Sequence, residues 1–176
     1  MAAVIGRIGQ GLRAMFAFAL PVDDAVVREV LTPDLYRLFQ RMTRSEQIHS
    51  IRVMKTLRAH GYDQPDLLTA ALLHDVGKSR YGMTLPERVI ASLIHKASHS
   101  TYKYYRDATH LKPSGWRRAL VIAAQHPSWS AEDMESAGAS QVAVSLARRH
   151  ADRIEGTPQT EEDRLLAALQ AADDLH

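Results

Sequence analysis

The segment "ALLHDVGKS", residues 70–78, places an imidazole, a carboxylate and an ammonium within five positions at the end of an apolar run. Neighbours on an α-helix point about 100° apart, so His74 and Asp75 can meet one ion only where the helix faces a cavity or ends. Gly77 is expected to supply that ending. A carboxylate left charged at the end of a buried helix costs free energy that a divalent cation would remove. Imidazole with carboxylate suits Fe, Mn, Zn or Co. Alone, a His-Asp dipeptide is more often a polar pair at a helix end near the surface. This one has company: His49 in "SEQIHSIRV" and Asp173 in "LLAALQAADDLH" each interrupt apolar or small residues, as inward-pointing ligands would. The chain has no cysteine, so any metal must be held by His, Asp or Glu.

A His, an adjacent His-Asp pair and a distant Asp are the pattern of the HD-domain metal-dependent phosphohydrolases, which the chain resembles from about Ser45 to its end. "LLHDVGK" is the most specific piece, and "HSIRV" and "LQAADDL" support it. The resemblance implies an all-α, HD-domain-like helical bundle with His49, His74, Asp75 and Asp173 as metal ligands. Asp174 adjoins Asp173, and either carboxylate can be the ligand; Asp173 is favoured because it follows the small pair Ala171-Ala172, as in the family. "AAQHPSWSAEDMESAG" and "VSLARRHAD" resemble helices of two-metal members and add His126 and His150. With all six groups bound, His49, His74 and Asp173 would hold one ion, His126 and His150 another, and Asp75 would bridge them. One or two divalent ions are thus implied, with Fe, Mn, Zn, Co and Mg all open. The Gly-Tyr-Pro motif of the cyclic-di-GMP-degrading subgroup is absent, "HPSW" standing after His126 instead.

The chemistry so implied is hydrolysis of a phosphoester or phosphoanhydride bond in a nucleotide or related phosphorylated small molecule, two cations acidifying a water for attack on phosphorus. Asp75 and Lys78 are the expected catalytic groups, Lys78 neutralising charge that develops on the phosphoryl group. Lys78, Arg52 and Arg80 are the expected substrate contacts; the plain alternative for each is a solvated surface cation. A different class of function is an HD fold kept as a non-catalytic nucleotide- or metal-binding regulatory module. Missing ligands would be its signature, and none is missing.

The elements that must position these groups read as helices throughout. Thr32 with Pro33 opens one carrying Leu35, Leu38, Phe39 and Met42. Ser45 is expected to cap the next, which carries Ile48, Ile51, Met54 and Leu57 and stops at Gly61. Pro65 opens "DLLTAALLHD", and Thr84 to Glu87 reads as a capping box leading into "RVIASLIHK". Ser114 starts "GWRRALVIAAQH", which Pro127 is expected to break or redirect; "SAEDMESAG" then ends at Gly138. Ser140 caps "QVAVSLARRH", and Thr160 with Asp163 frames the last helix. No stretch alternates with period two. Residues 96–115, polar and rich in histidine and tyrosine, read as a long irregular connection, with Tyr102, Tyr104 and Tyr105 as candidates for stacking on a base and His95, His99 and His110 as surface or loop groups.

At 176 residues the chain suffices for one core: residues 1–44 as N-terminal helices packing on it, residues 45–176 as the HD-type domain. A net charge of +2 is too mild for a nucleic-acid binder. The apolar stretch after Arg7 and Arg13 is cut off by Pro21, Asp23 and Asp24, far short of a membrane span; a first helix packing on the core is preferred to peripheral membrane contact. The lack of cysteine fits a cytoplasmic protein. Oligomeric state is left open.

Overall fold

Two threonines set the entry to the bundle. The computed structural model describes residues 22–84, 87, 99–152, 154 and 156–176. After a short α1 (Asp24–Arg28), the Thr32 hydroxyl accepts from the Leu35 amide, and Pro33 begins α2 (Pro33–Arg41). Helix α3 (Arg44–Ala59) is capped by Thr43, not Ser45: its hydroxyl takes the Glu46 amide while the Glu46 carboxylate takes the Thr43 amide. That reciprocal box satisfies two end donors where a single hydroxyl satisfies one. Gly61, at φ 85°, then turns the chain.

Helix α4 (Pro65–Leu73) is the centre of the core. Every residue from Leu67 to Leu73 is buried, as expected for a helix apolar on all sides; each buried leucine contributes about 1.5–3 kcal/mol. It is flanked by α3 and by α7 (Gln141–Arg149), while α8 (Glu161–Asp174) lies across α3, α4 and α7. Val27, Leu31, Leu35 and Phe39 of the N-terminal segment join the same apolar cluster. Between α4 and α7 run a 3₁₀ turn (Val76–Arg80), α5 (His99–Asp107), a second 3₁₀ turn (Gly115–Arg117) and α6 (Arg118–Ser136). Among the described residues there is no strand, and no helix is long and apolar enough to cross a membrane.

Three local expectations change. Helix α4 stops at Leu73, with His74 as its C-cap, three residues before Gly77. Residues 99–107, expected to be irregular, are helical: Tyr102 and Tyr105 turn one face onto Leu120, Val121 and Ala124 of α6. That burial removes both from any base-stacking role and leaves Tyr104 exposed. Pro127 lies inside α6, which continues past it to Ser136. The expected helices over residues 5–20 and from Arg88 fall outside the described residues; of the capping box before the latter, the Thr84 amide and hydroxyl both donate to Glu87.

Candidate metal centre

The six expected ligands come from five elements: His49 from the middle of α3, His74 from the C-cap of α4, Asp75 from the residue after it, His126 from the middle of α6, His150 from the C-cap of α7 and Asp173 from the end of α8. The early end of α4 solves the problem of adjacent ligands. Asp75 adopts φ −99° and ψ 0°, outside the helix, so its carboxylate can turn to the side His74 faces.

Their polar atoms converge. His49 Nε2 lies 2.8 Å from Asp173 Oδ1, and His74 Nε2 lies 3.5 Å from the same oxygen. Asp75 stands between the two ends of the cluster: Oδ2 is 3.7 Å from His74 Nε2, while Oδ1 is 3.1 Å from His126 Nε2 and 3.8 Å from His150 Nε2. His126 Nε2 and His150 Nε2 face one another at 3.2 Å. Two sets of three donor atoms, His49–His74–Asp173 and His74–Asp75–His150, lie mutually within 4.8 Å. Metal–ligand bonds of about 2.0–2.2 Å place donors on one ion roughly 3–3.5 Å apart, and the observed spacings scatter about that range, close enough for the groups to share an ion. Asp173, and not the exposed Asp174, is the carboxylate in this cluster.

Orientation of the rings tests the fit more sharply. His74 Nδ1 bonds the Ala71 carbonyl at 3.0 Å, His126 Nδ1 the Ala123 carbonyl at 2.8 Å and His150 Nδ1 the Ala147 carbonyl at 2.7 Å. A carbonyl only accepts, so each Nδ1 carries a proton and Nε2 is the nitrogen each ring turns to the centre, bare whenever the ring is neutral. Buried lone pairs aimed at each other, as on His126 and His150, repel unless a positive charge lies between them. His74 Nε2 is buried and has no hydrogen-bond partner. The donor set, four imidazoles and two carboxylates without sulfur, suits a transition ion better than Mg²⁺. The residues fit a divalent metal.

Charge in the cluster points the same way. Burial opposes the charged form of His74, yet the Asp75 and Asp173 carboxylates push its pKa up to about 9. Burial, then the neighbouring His74 and His126, drives His150 down to about 3. His126 is lowered by burial and by Lys78. Burial works against ionised Asp75, but Lys78 and His74 hold its carboxyl well below the usual range. With no cation bound, the positive charge that Asp75 and Asp173 call for falls on His74, whose Nε2 then carries a proton; a bound divalent ion would supply that charge and leave the nitrogen bare.

The expected substrate contacts part ways. Lys78 Nζ sits 2.6 Å from Asp75 Oδ2 at the edge of the cluster. Arg52 is half-buried on α3, three residues after His49. Arg80, expected at a phosphate, is instead committed to α6: Nη2 donates to Asp133 at 2.7 Å and Nη1 to Glu132 at 2.9 Å. His110 is exposed, and His95 lies outside the described residues.

Several supporting residues escaped sequence reasoning. Gly77 has an ordinary negative-side backbone; it is glycine because α6 is too close for anything else. A Cβ there would stand 2.4 Å from the His126 carbonyl oxygen and 2.7 Å from the Ser130 nitrogen. The Gly77 amide donates to buried Ser130 Oγ at 2.8 Å. Gln170 of α8 donates to the carbonyls of His150 and Asp152 at 3.0 and 2.7 Å, fixing the chain after α7. His176 bonds Thr56 Oγ1 beside the open side of the cluster. A signal for the rings did exist: "ALLH", "AAQH" and "ARRH" each put alanine three residues before a ligand candidate.

A family model described as the HD domain matches residues 47–176, and the chain belongs to that family, within the HD-domain metal-dependent phosphohydrolase superfamily. Neither the curated proteins nor the solved structures give a match.

Proposed function

We propose that the chain is a divalent-metal-dependent phosphohydrolase that cleaves a phosphoester or phosphoanhydride bond of a nucleotide or related phosphorylated small molecule. The observation that carries the reading is the set of carbonyl-locked rings with Nε2 turned onto two shared carboxylates. His49, His74 and Asp173 would hold one ion, His126 and His150 a second, and Asp75, with an oxygen toward each end, would be common to both. When bound, such ions lower the pKa of water and draw charge from phosphoryl oxygens.

The chain's own groups do the rest. Asp75 fixes the spacing of the two ends of the site. The carbonyl-held rings keep their Nδ1 protons, so no ring reorients as substrate enters. Phosphate approaches from the side of His49 and Asp173, the more exposed end. Lys78 is paired with Asp75 and can shift its ammonium from that carboxylate to a phosphoryl oxygen as negative charge builds there. Arg52 sits at the entrance for a second phosphate. As the water oxygen bonds to phosphorus and gives up a proton to solvent, the bond to the leaving oxygen breaks; that oxygen departs with the rest of the substrate and takes up a proton, and the phosphate product is released.

A panel of nucleoside mono-, di- and triphosphates, assayed for released phosphate before and after chelation and again after Mn²⁺ is restored, tests the reading. Release that stops with chelator and returns with metal is expected. Undiminished release in the metal-free protein would end it.

A further inference from the structure

His74 and His150 are alike in one respect that His126 cannot share. Each caps a helix that ends there, so the carbonyl three residues back has lost its helical partner and is free to take the ring. His126 lies in the middle of α6, where the Ala123 carbonyl would ordinarily accept the amide of residue 127. Residue 127 is proline, which has no amide hydrogen.

We propose that Pro127 is a positioning residue for the metal centre: by withholding its N–H it frees the Ala123 carbonyl to hold the His126 ring. Pro127 makes an artificial helix end inside an unbroken helix. The consequence is visible in the bond lengths: His126 Nδ1 is 2.8 Å from Ala123 O and 3.2 Å from Ile122 O, while Nε2 points at Asp75 and His150. Proline is the costliest residue in a helix interior, yet α6 continues through it without interruption. The backbone at this point is also clamped from outside. Gly77 packs so close that a Cβ there would meet the His126 carbonyl oxygen, and its amide bonds Ser130 Oγ, so the turn that carries Asp75 is held against the same few residues. The backbone contact sets where His126 stands, and the proline sets which nitrogen it offers. All three buried imidazoles of the cluster then obey one rule, a free alanine carbonyl three residues back, reached by two helix ends and one proline.

The inference rests on the metal-centre reading for its purpose but not for its first readout. In metal-free protein, long-range ¹H–¹⁵N spectra report which ring nitrogen carries the proton. The wild type is expected to show His126 protonated at Nδ1. In Pro127→Ala the new amide competes for the Ala123 carbonyl, and Nε2-protonated His126 is expected to appear. Titration with Mn²⁺ alone should then show affinity reduced about 10–100-fold, the usual size of a lost orienting bond. Ser128→Ala, which leaves residue 127 without an amide hydrogen, should change neither readout. An Nδ1-protonated His126 in Pro127→Ala with wild-type Mn²⁺ affinity overturns the proposal. So does an Nε2-protonated His126 in the wild type, a result that needs no variant to fold. If neither protein binds Mn²⁺, the metal-centre reading fails while the tautomer comparison still decides the role of Pro127.

Discussion

The two ends of the cluster differ in how they are held. At one end, the His126, His150 and Asp75 side chains are 8%, 6% and 7% exposed, and both rings are locked by backbone carbonyls. At the other, His49 and Asp173 are 26% and 35% exposed and rely chiefly on one another at 2.8 Å. His74, 1% exposed, is shared between them. The contrast follows from where the groups sit in the fold. The closed end is built where α6, α7 and the 3₁₀ turn meet, and the open end where α3 and α8 approach the surface. In the proposed hydrolase the closed end would hold a cation firmly and the open end would admit the phosphate.

That contrast can be broken at its hinge first. Asp75→Ala removes the one group with an oxygen toward each end, and should cost more than about a hundredfold in metal affinity and phosphate release, beyond the loss of any orienting partner. Retention of metal at either end, read by elemental analysis, would show that the ends are independent. Next, His126→Ala and His49→Ala should separate them: the first should remove the slowly exchanging ion, the second the quickly exchanging one, with affinity falling about 10–100-fold at the altered end. Identical exchange kinetics in the two variants would erase the distinction.

Gly77→Ala tests the packing beneath the closed end. A methyl group 2.4 Å from the His126 carbonyl forces a shift, at a cost of about 1–3 kcal/mol. Thermal unfolding should drop by several degrees, with the closed end losing metal before the open one. The smallest effect concerns the strut between α7 and α8, the helices that carry His150 and Asp173. Arg149 donates to Asp163 at 2.6 Å, and this bond, with the Thr160 cap, lowers the Asp163 pKa from 3.8 to about 2. A carboxyl lowered on folding stabilises the protein above its unfolded pKa and loses that contribution as pH falls through the folded one. Asp163→Asn should therefore lower Tm only slightly near pH 6, as for a solvent-screened ion pair, with the difference closing between about pH 4 and pH 2. A gap that persists at pH 2 would assign the effect to capping geometry alone.

The all-helical fold was legible because its signals are local. Thr32-Pro33, Pro65, Ser140 and the Thr160-Asp163 box start helices as their chemistry dictates, and the solid apolar run of α4 announces burial. What sequence hid was non-local or ambiguous by period. Tyr102 and Tyr105 fall on one helical face, but Lys103 between them and Arg106 beside them mask the stripe. Pro127 reads as a breaker because the donor that replaces its amide is a side chain, the His126 ring. Gly77 reads as a helix stop, whereas its reason is a carbonyl on α6, some fifty residues on. Among the candidate site residues, types and order could be picked out from "HSIRV", "LLHDVGK" and "AADDL". The commitment of Arg80 to Asp133 and Glu132 could not, since nothing local ties those positions.

The central claim is that six side chains from five elements grip a cation. Elemental analysis of the purified chain after exhaustive dialysis measures it most directly. The account predicts one or two transition ions per chain, none retained in Asp75→Ala. A protein that retains no ion, and that Mn²⁺ and Zn²⁺ leave unchanged in stability at any concentration, would contradict it.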